Sequence, residues 1–151
     1  MIISTKGRYG VRAMFVLAKR YDESELTSIK YIANEQGISE QYLEQLFSKL
    51  KTAGLIESVR GQKGGYRLAN KPSDISVGQI LRALEGPLAP SECVVDENEV
   101  CDKSDSCTTH NMWKTIYDGI NRVVDKMSLA DMVKDYNENL NGTENCGSQR
   151  S

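Results

Sequence analysis

Three of the four cysteines and the only histidine lie within eighteen residues, in the order C-x7-C-x5-C-x2-H: Cys93, Cys101, Cys107 and His110. Thiolate sulfur and imidazole nitrogen are the donors that zinc and iron–sulfur clusters take, and core packing gives no reason to gather them. Between them stand Asp96, Glu97, Asn98, Glu99, Asp102, Lys103 and Asp105, so the segment has no apolar core and is expected as a loop ordered by what it binds. Three Cys and one His is a common structural zinc set, but its cysteines usually form close C-x2-4-C pairs, and gaps of seven and five are wider. Thiols acting without metal, through disulfides, are the third reading. Spacing alone leaves all three open.

The rest of the chain must position this segment. At 151 residues, with 39% apolar and 26% charged residues, the composition is that of a globular protein of one or two small domains. No apolar run is long enough to span a bilayer and no signal peptide is read at Met1, so a cytoplasmic protein with no membrane partner is expected. Thiols there are kept reduced, which suits ligands better than staples. The net charge of −2 hides a division: residues 1–72 carry +5 and residues 73–151 carry −7. A polyanion partner is therefore expected for the first half only.

Ser4 or Thr5 can cap a first helix running to about Tyr21, with Tyr9, Val11, Met14, Phe15, Leu17 and Ala18 at mostly helical spacing. Lys6, Arg8 and Arg12 make its first half basic. Cations in a first turn oppose the helix dipole, so an external anion would offset their cost. Thr27 or Ser28 caps a short second helix that ends at Gly37, and Ser39 caps a third, which buries Leu43, Leu46, Phe47 and Leu50 and ends at Gly54. Two short helices joined through Gly37-Ile38-Ser39 predict a helix-turn-helix. The second of them would offer Ser39, Glu40, Gln41, Tyr42, Glu44 and Gln45 to a major groove, where Gln pairs with adenine and Glu accepts from cytosine. An exposed carboxylate repels phosphate and tolerates only bases that donate to it, so Glu44 is expected to exclude one class of sites.

Residues 55–60 and 66–69 alternate like short strands, joined by G-Q-K-G-G. Arg60, Lys63, Gly64 and Arg67 would give this hairpin a basic, glycine-rich tip that can approach a duplex closely, the wing of a winged helix. The loop lacks the G-K-[ST] ending of a phosphate-binding P-loop, and no catalytic set is present, so neither an enzyme nor a small-molecule substrate is expected. Ser76 caps a helix of about nine residues, closed by G-P-L-A-P at 86–90. After His110, the residues Trp113, Ile116, Tyr117, Ile120, Val123, Val124 and Met127 form a long amphipathic helix, expected to pair two copies of the chain. A short helix S-L-A-D-M-V follows, and the polar stretch from Asn137, including a bystander thiol at Cys146, is expected to be disordered. The fold class is mainly α with a small β-hairpin. It divides into a winged helix-turn-helix at 1–85, a ligand-binding loop at 86–110, a dimerisation helix and short C-terminal helix at 111–136, and a tail at 137–151.

Several of these stretches together carry a likeness: T-K-G-R-Y-G-V-R-A-M, G-I-S-E-Q-Y-L-E-Q-L-F, G-L-I-E-S-V-R-G-Q-K-G-G-Y-R-L, and C-T-T-H-N-M-W with S-L-A-D-M-V. In collinear order over about residues 1–136, the chain resembles the IscR-type iron–sulfur cluster regulators. These belong to a family of dimeric winged-helix transcription factors that also contains the nitric-oxide sensor NsrR and the cysteine-metabolism regulator CymR. The resemblance implies a [2Fe–2S] cluster on Cys93, Cys101, Cys107 and His110, and DNA contacts from Tyr42, Glu44, Gln45 and Arg60. It also implies promoter choice that follows cluster state and bears on cluster-assembly genes. The first gap departs from the pattern, being seven residues where IscR proteins commonly have five. A longer gap occurs among NsrR-like relatives, which hold a [4Fe–4S] cluster, some with an acidic fourth ligand near the N-terminus. Here that region reads K-G-R-Y, and Arg8 cannot ligate a cation. The C-x2-H element with Trp113 behind it matches the IscR type, leaving the [4Fe–4S] nitric-oxide sensor and the metal-free thiol sensor as alternatives.

Overall fold

Serines set most of the helix starts. The structure is a computed structural model that describes residues 2–21, 26–95 and 108–142. In it, helix α2 (Ile29–Gln36), helix α3 (Glu40–Thr52) and helix α4 (Val77–Glu85) each begin one residue after a serine. Ser28, Ser39 and Ser76 each accept a hydrogen bond at 3.1 Å from the backbone N–H three residues on, at Tyr31, Tyr42 and Gln79. Gln79 returns the bond to the Ser76 N–H at 2.9 Å, completing a capping box. Gly37 ends α2 in the left-handed region (φ 66°), a conformation that favours glycine and lets the chain turn at once into α3.

Helix α1 (Thr5–Lys19) starts differently. Ser4 occupies the capping position but does not cap its own helix, and the first turn holds no acidic residue. The Ser4 hydroxyl donates instead to Glu85 Oε1, at the far end of α4. That same oxygen accepts from the N–H groups of Ser4 (3.1 Å) and Gly7 (2.9 Å). The anion expected to offset Lys6 and Arg8 is thus supplied from within the chain. This needs α1 and α4 to lie very close: a Cβ on Gly7 would stand 2.7 Å from the Glu85 carboxylate, and one on Gly10 would stand 2.0 Å from Leu84.

Strands β1 (Ile56–Val59) and β2 (Gly65–Leu68) pair antiparallel, with Ile56 opposite Leu68 and Glu57 opposite Arg67. A bridge beside the hairpin was not read from the sequence: Thr27 exchanges two backbone hydrogen bonds with Tyr66, at 3.0 and 2.8 Å, tying the hairpin to the start of the helix-turn-helix. Gly65 is required there, because a Cβ would meet the Thr27 carbonyl oxygen at 2.6 Å. The core lies between these elements. Met14, Ile32, Leu43, Phe47, Leu50, Ile75 and Ile80 are sealed from solvent, and Tyr66 sets its ring edge-on to Phe47 at 4.7 Å.

The last two helices depart from expectation. Helix α5 (Thr108–Lys126) begins before His110, so the histidine sits in its first turn and not at the end of a loop; the boundary expected at 110 falls inside a helix. Its apolar residues form two stripes where the sequence suggested one. Ile120 and Val124 pack inward on Val77, Leu81 and Leu88, while Met112, Ile116 and Val123, and Met127 just past the helix end, stay 40–56% exposed. Helix α6 (Leu129–Gly142) runs well past Asn137, where disorder was expected. Leu129, Met132, Val133 and Tyr136 form a helical stripe that ends just before the Asn-rich stretch, and Tyr136 packs edge-on to Phe15 at 5.4 Å with Lys19 over its ring. Residues 143–151, with Cys146, lie outside the described residues.

Burial pushes the Glu85 carboxyl up, but hydrogen bonds from Ser4 and Gly7 and the charge of Lys6 outweigh it, so it titrates below its ordinary value. A carboxylate favoured by folding contributes its full stability above the unfolded value near 4.5, and loses it as pH falls through the lowered folded value. Urea midpoints measured against pH should therefore decline in this acid range, and Glu85→Gln should flatten part of that decline. Glu85→Ala should cost roughly 1–2 kcal/mol at neutral pH, the size of a lost helix cap.

Candidate nucleic-acid interface and cysteine segment

The exposed side of α3 gathers most of the expected reading residues. Glu40, Gln41, Glu44 and Gln45 are exposed, whereas Tyr42 is half-buried. Ser39 is occupied in part by its capping bond to Tyr42 N–H, though its hydroxyl proton stays available to a further acceptor. Tyr42 is held by α1: its ring stands edge-on to Tyr9 at 6.2 Å, and its hydroxyl lies 3.4 Å from Thr5 Oγ1. Arg8 is exposed on the same first turns of α1. Thr5 and Glu85 were missed by the sequence reading, since contacts made 37 and 81 residues away leave no local pattern.

The hairpin carries its cations unequally. Arg60 and Lys63 are exposed at the tip. Arg67, counted with them from the sequence, lies directly across from Glu57 and donates to it through Nε at 2.9 Å, which offsets much of its charge. Gly64 packs against the turn itself: a Cβ there would stand 2.2 Å from the Val59 carbonyl oxygen. Burial, and then the negative charge of Glu44, push the Tyr66 hydroxyl above its ordinary pKa, so the α3 face and the second strand of the hairpin are electrostatic neighbours. A helix face bearing amide and carboxylate groups beside a basic tip is a surface able to read base edges and hold phosphate.

Of the four expected ligands, Cys93 and His110 are described; Cys101 and Cys107 lie outside the described residues. Cys93 sits half-buried in the 3-10 turn Glu92–Val94, its Sγ 3.4 Å from Ser91 Oγ. This turn packs against α5, the helix that carries His110. His110 Nδ1 is shielded from solvent and has no hydrogen-bond partner among the described residues. An unsatisfied buried polar nitrogen costs about 1–3 kcal/mol, so the site fits a group that takes a nitrogen donor.

Helix α5 is in turn tied to α4. Arg82 reaches Asp125 with both terminal nitrogens, at 2.7 and 2.9 Å, and Asn121 at 2.6 Å. The Asp125 bond dominates in holding the guanidinium above its ordinary pKa. The cysteine segment is thus joined to the helix-turn-helix at two places, through Gly86 behind α4 and through this clamp. No helix among the described residues is long and apolar enough to cross a membrane.

Fold and surface together define a winged helix-turn-helix DNA-binding protein. Residues 3–135 match the Rrf2 family model, described as an iron-dependent transcriptional regulator, and the chain belongs to that family. It is 44% identical over 133 residues to the HTH-type transcriptional regulator CymR of Bacillus subtilis, covering 88% of this chain and 90% of that protein. It is 40% identical over 135 residues to the HTH-type transcriptional regulator IscR of Aliivibrio salmonicida, covering 89% of this chain and 79% of that protein. Two solved structures superpose on it with a TM-score of 0.71. CymR, the global cysteine regulator of B. subtilis, is 44% identical, with 89% of this chain and 97% of that one covered. The IscR of T. potens is 42% identical, with 99% and 94% covered. The chain is a transcriptional regulator and not an enzyme.

Proposed function

We propose that the protein is an iron–sulfur-cluster-sensing regulator that binds promoter DNA as a cytoplasmic homodimer and controls cluster-assembly genes. The observation that carries the cluster is His110 Nδ1, buried and without a partner among the described residues, on the helix against which the Cys93 turn packs. Cys93, Cys101, Cys107 and His110 would hold a [2Fe–2S] cluster, and when bound it supplies an occupant sensitive to iron supply and oxidation. His110 contributes a neutral nitrogen fixed by the first turn of α5, and Cys93 a sulfur fixed by its 3-10 turn. The exposed stripe Met112, Ile116, Val123 and Met127 supports a second copy as the partner of α5, which buries no residue fully within one chain.

On the DNA side, Ser39, Glu40, Gln41, Tyr42, Glu44 and Gln45 would meet the major groove, with Arg60, Lys63, Gly64, Arg67 and Arg8 on phosphates or the minor groove. Because Arg67 is paired with Glu57, Arg60 and Lys63 are expected to matter more. Arg60→Ala should weaken binding by ~1–3 kcal/mol if it contacts a base, whereas Lys63→Ala should reduce the salt slope of binding by about 1. Fluorescence anisotropy over a salt series measures both. Affinity independent of salt would argue against the hairpin as a DNA element.

The likeness to CymR supports a second reading, a cysteine-linked or thiol-redox regulator without a cluster. Purification without oxygen, with visible spectroscopy and iron, sulfide and zinc analysis, separates the cases. A red-brown protein with about two irons and two sulfides per chain is expected, and His110→Ala should lower that content. Four irons per chain would point to the [4Fe–4S] nitric-oxide sensor. Stoichiometric zinc without colour would make the segment a structural clasp, and a metal-free protein whose DNA affinity follows thiol oxidants would establish the second reading.

A further inference from the structure

Glu85 sits at a junction that its role as a cap does not exhaust. Its Oε1 accepts from Ser4 N–H, Ser4 hydroxyl and Gly7 N–H, and so fixes the first turn of α1. That turn carries Thr5, whose hydroxyl meets the Tyr42 hydroxyl at 3.4 Å, and one turn further on Tyr9 packs edge-on against the Tyr42 ring. Tyr42 belongs to the first turn of α3, the end that a helix-turn-helix directs at base edges. The path from Glu85 to the reading helix therefore runs through the first turns of α1 and no loop. Lys6 and Arg8, both exposed, ride on the same turn.

The carboxylate also changes what α1 can offer to DNA. A helix N-terminus with free N–H groups is a natural seat for a phosphate. In α1 two of the backbone donors at this end, at Ser4 and Gly7, are already taken by Glu85. The first turn keeps its cationic side chains for the duplex, and its place against α4 is held by an internal anion.

We propose that Glu85 is a positioning residue for DNA recognition: by gripping Ser4 and Gly7 it holds the first turn of α1, and through Thr5 and Tyr9 the Tyr42 end of α3, in the pose that reads sequence. It touches no base or phosphate itself. Its loss degrades discrimination between sequences more than it degrades general affinity, since the cations of the hairpin stay in place.

The test uses two probes: a duplex enriched by the wild-type protein from a randomised library, and poly(dI–dC) as non-specific DNA. Glu85→Ala, Glu85→Gln and Ser4→Ala are compared with wild type well below each variant's melting temperature, so that all are folded. Glu85→Ala is expected to lower the ratio of specific to non-specific affinity by about tenfold, within the usual effect of a lost recognition contact. Glu85→Gln, which keeps an oxygen acceptor for the two N–H groups, should recover part of the ratio, and Ser4→Ala should fall between them. Combined with Tyr42→Phe, Glu85→Ala should be non-additive. A fully folded Glu85→Ala protein that keeps the wild-type ratio would overturn the proposal and leave Glu85 a cap only. Strict additivity with Tyr42→Phe would also overturn the path through Tyr42.

Discussion

The first turn of α1 cannot hold itself, and much of the architecture follows from how the chain solves this. The turn contains Lys6 and Arg8 and no acid, so its exposed N–H groups and its side chains place positive charge together. Glu85 answers that charge from the end of α4, and the answer is possible only because Gly7 and Gly10 let α4 come into contact with the α1 backbone. Once α1 and α4 are so joined, α1 serves as the spine against which α2, α3, α6 and β2 pack. A mainly helical protein with one small hairpin thereby acquires a fixed relation between its recognition helix and the segment leaving α4.

The hairpin is fixed by different means. Backbone exchange between Thr27 and Tyr66 and the edge-on packing of Tyr66 on Phe47 tie its second strand to the start of α2 and to α3. Its tip is left to Arg60 and Lys63. An anchored strand behind an exposed cationic tip is what a wing needs, because phosphate contacts position a protein on DNA only if the scaffold behind them does not yield.

What could be read from the sequence was local. Ser28, Ser39 and Ser76 announced three helix starts, Gly37 announced the turn, and the alternation around G-Q-K-G-G announced the hairpin, because each acts on atoms three or four residues away. What escaped was either long-range or compositional. Glu85 looks like an ordinary surface acid at the end of a helix, and only the fold brings it to Ser4. The Asn-rich run after Tyr136 reads as disorder by composition, yet the stripe Leu129, Met132, Val133 and Tyr136 docks on α1 and carries the helix to Gly142. The two apolar stripes of α5 could not be separated without knowing that Val77, Leu81 and Leu88 would claim one of them. In the cysteine segment, residue types suggested candidate donors, while the helical setting of His110 came from the structure.

The segment that begins at Gly86 leaves the DNA-binding head behind Glu85, and its far end rejoins the head through α5 and the Arg82–Asp125 clamp. An occupant of this segment would therefore act on the C-terminal turn of α4, at Arg82 and at the exit through Gly86. The most direct test compares one oxygen-free preparation, before and after removal of its iron by a chelator, for affinity to a duplex enriched from a randomised library. Affinity, or the ranking of sequences, is expected to change several-fold on removal and to return when iron and sulfide are restored. Identical affinity and ranking in both states would contradict it, whatever the colour of the protein.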